Sequence, residues 1–435
     1  MRVVVFGLWH LGCVTAACLA AAGKQVVGLD LDAEVVARLV EGQPPIEEPG
    51  LADLLAEGRA AGRLSFTADA GRALSGADVL WITFDTPVNE RDEADVGFVE
   101  ERLEAVRPLV DAGTLVVVSS QVPVGFTRAL AAKWAAGGMS FAYSPENLRL
   151  GKALAAFRAP ERVVVGLGDP ADRERVLELF RPYAERVEWM SIESAEMTKH
   201  AINAFLATSV SFINELARLC ERVGADAREV ERGLKSEGRI GPKAYLSPGP
   251  AFAGGTLARD LRFLSRFGKE LGVVTPLFDG VLASNDSHKL WLHDKIAGLL
   301  AGVTEPVVAV LGLTYKPGTD TLRRSAAVEL CAWLHGRGVE VRAHDPAIRM
   351  LPAELSSILR FCPTAEEALD GADLVVLATE WPQYRSLPAQ VFVDSMRRAR
   401  VVDQTWFLAR ELSGIPHLHY FAPGRAGSPD EVPSR

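Results

Sequence analysis

Apolar and polar positions alternate in blocks that predict strands and helices in turn. Arg2 to Phe6 (RVVVF) is an unbroken apolar, β-branched run and predicts a strand. Gly7 and Gly12 follow, and Leu11 to Ala22, rich in Ala, Leu and Cys, predicts a helix packed on a sheet and ended by Gly23. Gln25 to Leu29 (QVVGL) is a second strand that runs into Asp30. Asp78 to Thr83, Leu115 to Ser119, Phe141 to Ser144 and Val163 to Gly166 continue the strands, with a helix over Val96 to Leu109. The strand ends lead into Asp85-Thr86-Pro87-Val88, Ser120-Gln121-Val122-Pro123-Val124-Gly125 and Ser144 to Lys152, loops of the kind that gather on the ligand side of a doubly wound sheet.

The rhythm then changes. Ser194 to Arg222 has no Gly or Pro and carries Ile202, Phe205, Leu206, Val210, Ile213, Leu216 and Leu219 at helical spacing. With Ser194 as N-cap and Gly224 as stop, it predicts a helix about 40 Å long, more than a crossover needs and suited to a spine between domains or a dimer interface. A Gly/Pro-rich segment, Gly238 to Gly255, follows. Near residue 305 the first pattern restarts: Pro306 to Leu311 echoes Val3 to Leu8, Val339 to Asp345 echoes Gln25 to Asp32, and Gly371 to Thr379 echoes Gly76 to Thr83. The fold class expected is α/β: two Rossmann-like doubly wound domains joined by a long central helix and a helical middle, with an active site in the cleft between them.

Strand, glycine turn, helix, strand and acid is the order of a dinucleotide-binding βαβ unit. A glycine turn at a helix N-terminus offers N–H groups to a pyrophosphate, and an acid ending the second strand accepts from a ribose diol and repels a 2′-phosphate, which favours NAD over NADP. One position departs from G-x-G-x-x-G: in Gly7-Leu8-Trp9-His10-Leu11-Gly12 the middle glycine is Trp9. A buried βαβ unit without a nucleotide is the alternative that this stretch alone leaves open.

The bulk numbers narrow the class. At 435 residues and 48% hydrophobic, the chain holds two or three domains with full cores. A net charge of −9 without a basic run argues against a nucleic-acid surface. There is no apolar stretch of membrane-spanning length and no signal-like N-terminus, so a soluble, cytoplasmic protein without a membrane partner is expected. Cys13, Cys18, Cys220, Cys331 and Cys362 lack C-x-x-C spacing and read as reduced, buried small hydrophobes. His417-Leu418-His419 has no further ligand pattern, so no metal site is expected.

Further landmarks come in order. They are Pro45-Ile46-Glu47-Glu48-Pro49-Gly50-Leu51, Val122-Pro123-Val124-Gly125, Ser144-Pro145-Glu146, Arg162 to Gly166, Lys199-x3-Asn203-x2-Leu206-Ala207, Ser211-Phe212-x-Asn214-Glu215, Arg239-Ile240-Gly241, Pro248-Gly249, Lys316-Pro317-x-Thr319-Asp320 and Thr379-Glu380-Trp381. Together they resemble the UDP-glucose/GDP-mannose dehydrogenase family, which oxidises nucleotide sugars with NAD in polysaccharide or glycoside biosynthesis. The resemblance implies an NAD-binding Rossmann domain over 1–193, a central helical and dimerisation domain over 194–300, a C-terminal Rossmann-like nucleotide-sugar-binding domain over 301–422, and a flexible tail over 423–435. It also implies a homodimer through the central helix. By matching position, NAD would be held by Gly7, Trp9, His10, Leu11, Gly12, Asp30, Glu48, Thr86, Gln121 and Arg323. Lys199, Asn203, Asp260, Glu146 and Thr256 would line the reacting carbon, and Leu148, Arg239, Tyr245, Gly254 and Lys316 would meet the substrate.

Within the family the second of two oxidations uses a cysteine in a G-G-S-C-F-P-K-D-like stretch, which traps the aldehyde as a thiohemiacetal on the way to a thioester. Here that stretch reads Ala253-Gly254-Gly255-Thr256-Leu257-Ala258-Arg259-Asp260, with Thr256 in place of the cysteine. An alcohol is a much weaker acid than a thiol and needs an adjacent base to attack, so Thr256 reads as a packing or hydrogen-bonding residue. Gln121 replaces the Thr of S-T-V-P-V-G, and Leu150 replaces the second acid of P-E-F-L-R-E while Glu146 remains. Lys199 and Asn203, four apart on one helix face, and Asp260 are the groups suited to a first alcohol oxidation. The expected function is a single NAD-dependent oxidation of a nucleotide sugar. Full two-step oxidation without a thioester and a nucleotide-sugar-binding protein without catalysis are the alternatives.

Overall fold

A computed structural model describes residues 1–87, 95–146, 148–322 and 325–425. Val88, Asn147, Arg323 and the end of the expected tail lie outside the described residues. The chain forms two compact units, Met1–Ala204 with Gly254–Val273, and Phe205–Ala253 with the chain from Val274 onward.

The first unit is built on an eight-stranded sheet in the order β3-β2-β1-β4-β5-β6-β7-β8. Its strands are β1 (Arg2–Phe6), β2 (Gln25–Leu29), β3 (Leu64–Thr67), β4 (Val79–Ile82), β5 (Leu115–Val118), β6 (Ser140–Tyr143), β7 (Val163–Leu167) and β8 (Val187–Ser191). All neighbours run parallel except β6 and β7. Parallel strands are covered on both faces, which is why their sequences read as continuous apolar runs rather than alternations. Val3, Val5, Trp81, Leu115 and Val117 pack with Cys13, Val14 and Ala17 of the first helix (His10–Ala21) on one face. Val4, Phe6, Leu80, Ile82, Val116 and Val118 pack with Val99, Leu103 and Val106 on the other. β3 and β8 were not expected, because LSFT and VEWMS mix polar with apolar positions at the sheet's two edges.

The second unit carries a six-stranded parallel sheet, β11-β10-β9-β12-β13-β14. Its strands are β9 (Val307–Leu311), β10 (Glu340–His344), β11 (Arg360–Phe361), β12 (Leu374–Leu377), β13 (Arg400–Asp403) and β14 (His419–Phe421). This 3-2-1-4-5-6 order repeats that of the first six strands of the first sheet, as the echoed sequence predicts.

The long helix runs Ile192–Val223, 32 residues or about 48 Å, and the division between units falls within it. It starts two residues before Ser194, directly after β8 ends at Ser191. The helix over Val96 stops at Val106 and tightens into a 3₁₀ turn, Arg107–Leu109, because Pro108 cannot donate to the ladder. All five cysteines are buried and free. Among the described residues no helix is long and apolar enough to cross a membrane.

Candidate active site

The glycine turn after β1 is shaped as a dinucleotide cradle. Gly7 has φ +101°, and a Cβ there would lie 2.7 Å from the Phe84 ring; a Cβ on Gly12 would lie 1.8 Å from the Gly7 carbonyl oxygen. Backbone therefore occupies the space a side chain would fill. The Thr83 hydroxyl donates to the Gly7 carbonyl at 2.9 Å, tying the turn to the end of β4. Trp9 is the N-cap of the first helix and is 46% exposed, so its indole is turned out to solvent instead of filling the turn. Asp30 ends β2 and accepts from the N–H groups of Leu8 at 2.8 Å and Asp32 at 3.0 Å while staying partly exposed, as a ribose-binding carboxylate must.

The second sheet shows what happens when that reach is lost. Asp345 ends β10 as Asp30 ends β2, and it accepts from the N–H groups of Leu313 and Thr314. Trp381 Nε1 also donates to it at 3.1 Å, and Asp345 is 2% exposed. Its lone pairs are spent internally, so Asp345 is not open to a ribose as Asp30 is.

Glu48 joins the cradle to the loop after β6. Its carboxylate accepts from Gly151 N at 2.7 Å and Ala153 N at 2.8 Å, and lies 3.0 Å from His10 Nε2. Desolvation pushes its pKa up, but these three partners outweigh it and hold the group below the usual carboxylate range. The Thr86 hydroxyl donates to the Gln121 carbonyl at 2.8 Å, linking the loops after β4 and β5.

Around these strand ends the long helix presents a polar stripe. Lys199 Nζ donates to the Glu146 carbonyl at 2.6 Å and lies 3.5 Å from its Oε1, while Glu146 Oε2 accepts from Leu148 N at 2.6 Å. Asp260, buried, accepts from Gln121 Nε2 at 2.5 Å and from Asn203 Nδ2, and lies 2.9 Å from His200 Nδ1. Arg259 in turn donates to Gln121 Oε1. Four of the expected catalytic residues, Lys199, Asn203, Asp260 and Glu146, thus meet in one unit together with Gln121, which stands beside Asp260.

Thr256 and Gly254 lie on a π-helical turn, Gly254–Ala258, that leads into the helix Arg259–Glu270. Thr256, expected as a packing or hydrogen-bonding residue, is exposed there. The expected substrate residues Arg239, Tyr245 and Lys316 belong to the second unit. Arg239 and Tyr245 are exposed on the loop after the helix Ala227–Ser236, with Arg239 Nε on Glu237 Oε1 at 3.1 Å, and Lys316 is half-buried after β9.

Two groups escaped the sequence reading. His200 bridges Asp260 and, through Nε2, the Val122 carbonyl at 3.1 Å, with its ring stacked on Phe263. Glu196, fully buried, accepts from Gly125 N at 2.6 Å and Thr127 N at 2.9 Å and so fastens the Val122–Gly125 loop to the long helix. Burial raises its pKa, against the pull of those N–H groups. The signal for both was present: Glu196, Lys199, His200 and Asn203 form one polar stripe at helical spacing on a helix otherwise apolar on that side.

Comparison with known proteins identifies the family. The NAD-binding, central and UDP-binding domains of the UDP-glucose/GDP-mannose dehydrogenase family match residues 1–184, 193–287 and 309–410. The chain is 37% identical to the UDP-glucose 6-dehydrogenase of Pseudomonas aeruginosa over 421 residues, 93% of each chain. It is 32% identical to the UDP-glucose 6-dehydrogenase YwqF of Bacillus subtilis, over 98% of each. Its fold matches the UDP-glucose dehydrogenase of the hyperthermophilic archaeon Pyrobaculum islandicum with a TM-score of 0.82, 34% identity and 98% of each chain covered. The chain thus belongs to the UDP-glucose/GDP-mannose dehydrogenase family, whose members are NAD-dependent dehydrogenases of nucleotide sugars.

Proposed function

We propose that this enzyme carries out one oxidation of a nucleotide sugar, from alcohol to aldehyde or ketone, and stops there. The observation that carries the reading is Thr256, an exposed alcohol where the family's second oxidation calls on a thiol. Asp260 supports it: three donors from Gln121, His200 and Asn203 occupy its carboxylate, so it serves as a structural anchor for Asn203 rather than as a free base for hydrolysis.

NAD, when bound at the glycine turn, supplies the hydride acceptor. Gly7, the Trp9 backbone, His10, Leu11 and Gly12 frame its pyrophosphate, Asp30 its ribose, and Glu48, Thr86 and Gln121 hold the loops that border it. Lys199 Nζ, anchored on the carbonyl and carboxylate of Glu146, keeps one N–H for the substrate hydroxyl and steadies the oxygen as negative charge develops. Glu146 Oε1 lies next to that nitrogen and takes the hydroxyl proton. Asn203, fixed by Asp260, orients the same oxygen. Leu148 and the backbone at Gly254 border the sugar. A UDP-sugar is the substrate class we favour, since a UDP-binding domain matches residues 309–410.

The test is stoichiometry. Incubated with NAD and a panel of UDP-, GDP- and CDP-sugars, the enzyme should form one NADH per molecule of carbonyl product. Two NADH per molecule with a uronate product would overturn the reading.

We further propose a homodimer through the long helix. Phe205 and Leu219 are 70% and 61% exposed, and with Phe212 they recur every seven residues along one helix face. Phe212→Arg should convert a dimer into a monomer by light scattering; a wild-type monomer would refute the proposal.

A further inference from the structure

Of the three marked positions in the glycine turn, two admit no side chain and the third carries a large one. Gly7 lies at φ +101°, and a Cβ on Gly12 would run into the Gly7 carbonyl. Trp9, between them, has φ −94° and ψ −151°, extended backbone that any L-residue adopts, so its side chain costs the turn no strain. The Trp9 carbonyl accepts the first intrahelical bond, from Cys13 N at 2.9 Å. That leaves the N–H groups of His10, Leu11 and Gly12 without an intrahelical acceptor, and these are the donors a helix N-terminus offers to a pyrophosphate. The indole makes no capping bond to them and stands exposed beside them.

Asp30 brings a second apolar side chain to the same place. Its Oδ2 accepts from Leu8 N at 2.8 Å and its Oδ1 from Asp32 N at 3.0 Å, so one carboxylate ties the segment that carries Trp9 to the segment that carries Leu31. These bonds use two of about four lone-pair positions, and the others are open to a ribose diol. Leu31 is exposed like Trp9. An indole and an isobutyl group therefore stand in solvent on either side of the acid that would take the ribose, and exposed apolar groups that border a polar site mark what covers it.

We propose that Trp9 is a wall for the adenosine diphosphate half of NAD: together with Leu31 it covers the adenosine when the dinucleotide binds. The glycine turn as the NAD site is the premise. Trp9 adjoins the pyrophosphate donors on its C-terminal side and, through Leu8, the ribose acid on its N-terminal side, so the part of NAD that passes it runs from pyrophosphate to adenosine. A middle glycine would contribute close approach of backbone; here the flat apolar face of the indole contributes stacking and burial instead. The nicotinamide, joined through the other phosphate, takes no part in this contact.

Fluorescence and calorimetry of wild type, Trp9→Ala and Trp9→Phe test this. Because Trp9 makes no capping bond, both variants should keep the first helix, as an unchanged far-ultraviolet dichroism spectrum would show. NAD and ADP-ribose should each shield one tryptophan of the wild type from quenching by acrylamide, nicotinamide mononucleotide should not, and Trp9→Ala should lose the effect. By calorimetry Trp9→Ala should bind NAD and ADP-ribose about 5- to 150-fold more weakly, the worth of one base–aromatic stack, while Trp9→Phe, which keeps a flat ring, should lose less. An unchanged dissociation constant in Trp9→Ala overturns the proposal. So does a tighter one, which would make the indole an obstruction, and so does shielding by nicotinamide mononucleotide alone. No binding of NAD by any of the three proteins overturns the premise along with it.

Discussion

His200 and Asp260 lie side by side in the interior, with Nδ1 of the ring 2.9 Å from Oδ1 of the carboxylate and the other ring nitrogen on the Val122 carbonyl. The pair joins the long helix, the Arg259–Glu270 helix and the loop after β5 at a single point. Removing one partner of a buried hydrogen bond leaves the other unsatisfied and costs about 1–3 kcal/mol. Gln121 and Asn203 still donate to Asp260, so His200→Leu should lose about 1 kcal/mol, the lower end of that range, in urea denaturation. His200→Gln, which can donate to Asp260, should lose less.

Lys199 makes a separable contribution. Its ammonium is buried against Glu146, so Lys199→Ala should leave the glycine turn intact while removing the group that steadies the substrate oxygen. Turnover should fall by about 10²- to 10³-fold, the usual worth of a donor that stabilises developing negative charge, while NAD affinity by calorimetry stays at the wild-type value. A parallel fall in both would place Lys199 in cofactor binding.

What the chain's sequence disclosed, and what it hid, divides by the range of the interaction. Gly7, Gly12 and Asp30 were legible because the dinucleotide turn is local, its parts falling within one βαβ unit. The second Rossmann sheet was legible as an echo of the first. That Asp345 is closed while Asp30 is open was not, since Trp381, 36 residues away, makes the difference. Lys199 and Asn203 stood out by helical spacing, but His200 takes its meaning from Asp260, 60 residues on. Glu196 takes its meaning from Gly125, 71 residues back.

Glu48 yields a pH prediction whose sign follows from its lowered pKa. Its ionised form is stabilised in the fold by Gly151 N, Ala153 N and His10, so this stability is present above the ordinary carboxylate range and is lost as pH falls through the depressed value. Glu48→Gln should lose about 1.5–3 kcal/mol at neutral pH, the range for hydrogen bonds to a charged group. Melting curves of wild type and variant should converge in acid. Amide exchange at Gly151 and Ala153 should quicken in the variant, because this carboxylate accepts from both N–H groups.

Thr256 decides between the readings of the chemistry. Were its hydroxyl a nucleophile, a base would have to lie within hydrogen-bond reach. Asp260 is turned instead to Gln121, His200 and Asn203, and Glu146 to Lys199 and Leu148, while Thr256 stands exposed on its turn. Thr256→Ala should therefore keep NADH formation within about threefold of wild type, a change of less than 1 kcal/mol in the barrier, and the yield should stay at one NADH per product. A loss of 10²-fold or more would show that the hydroxyl takes part in the reaction. A drop in yield from two NADH to one would show that the alcohol had done the work of the missing thiol.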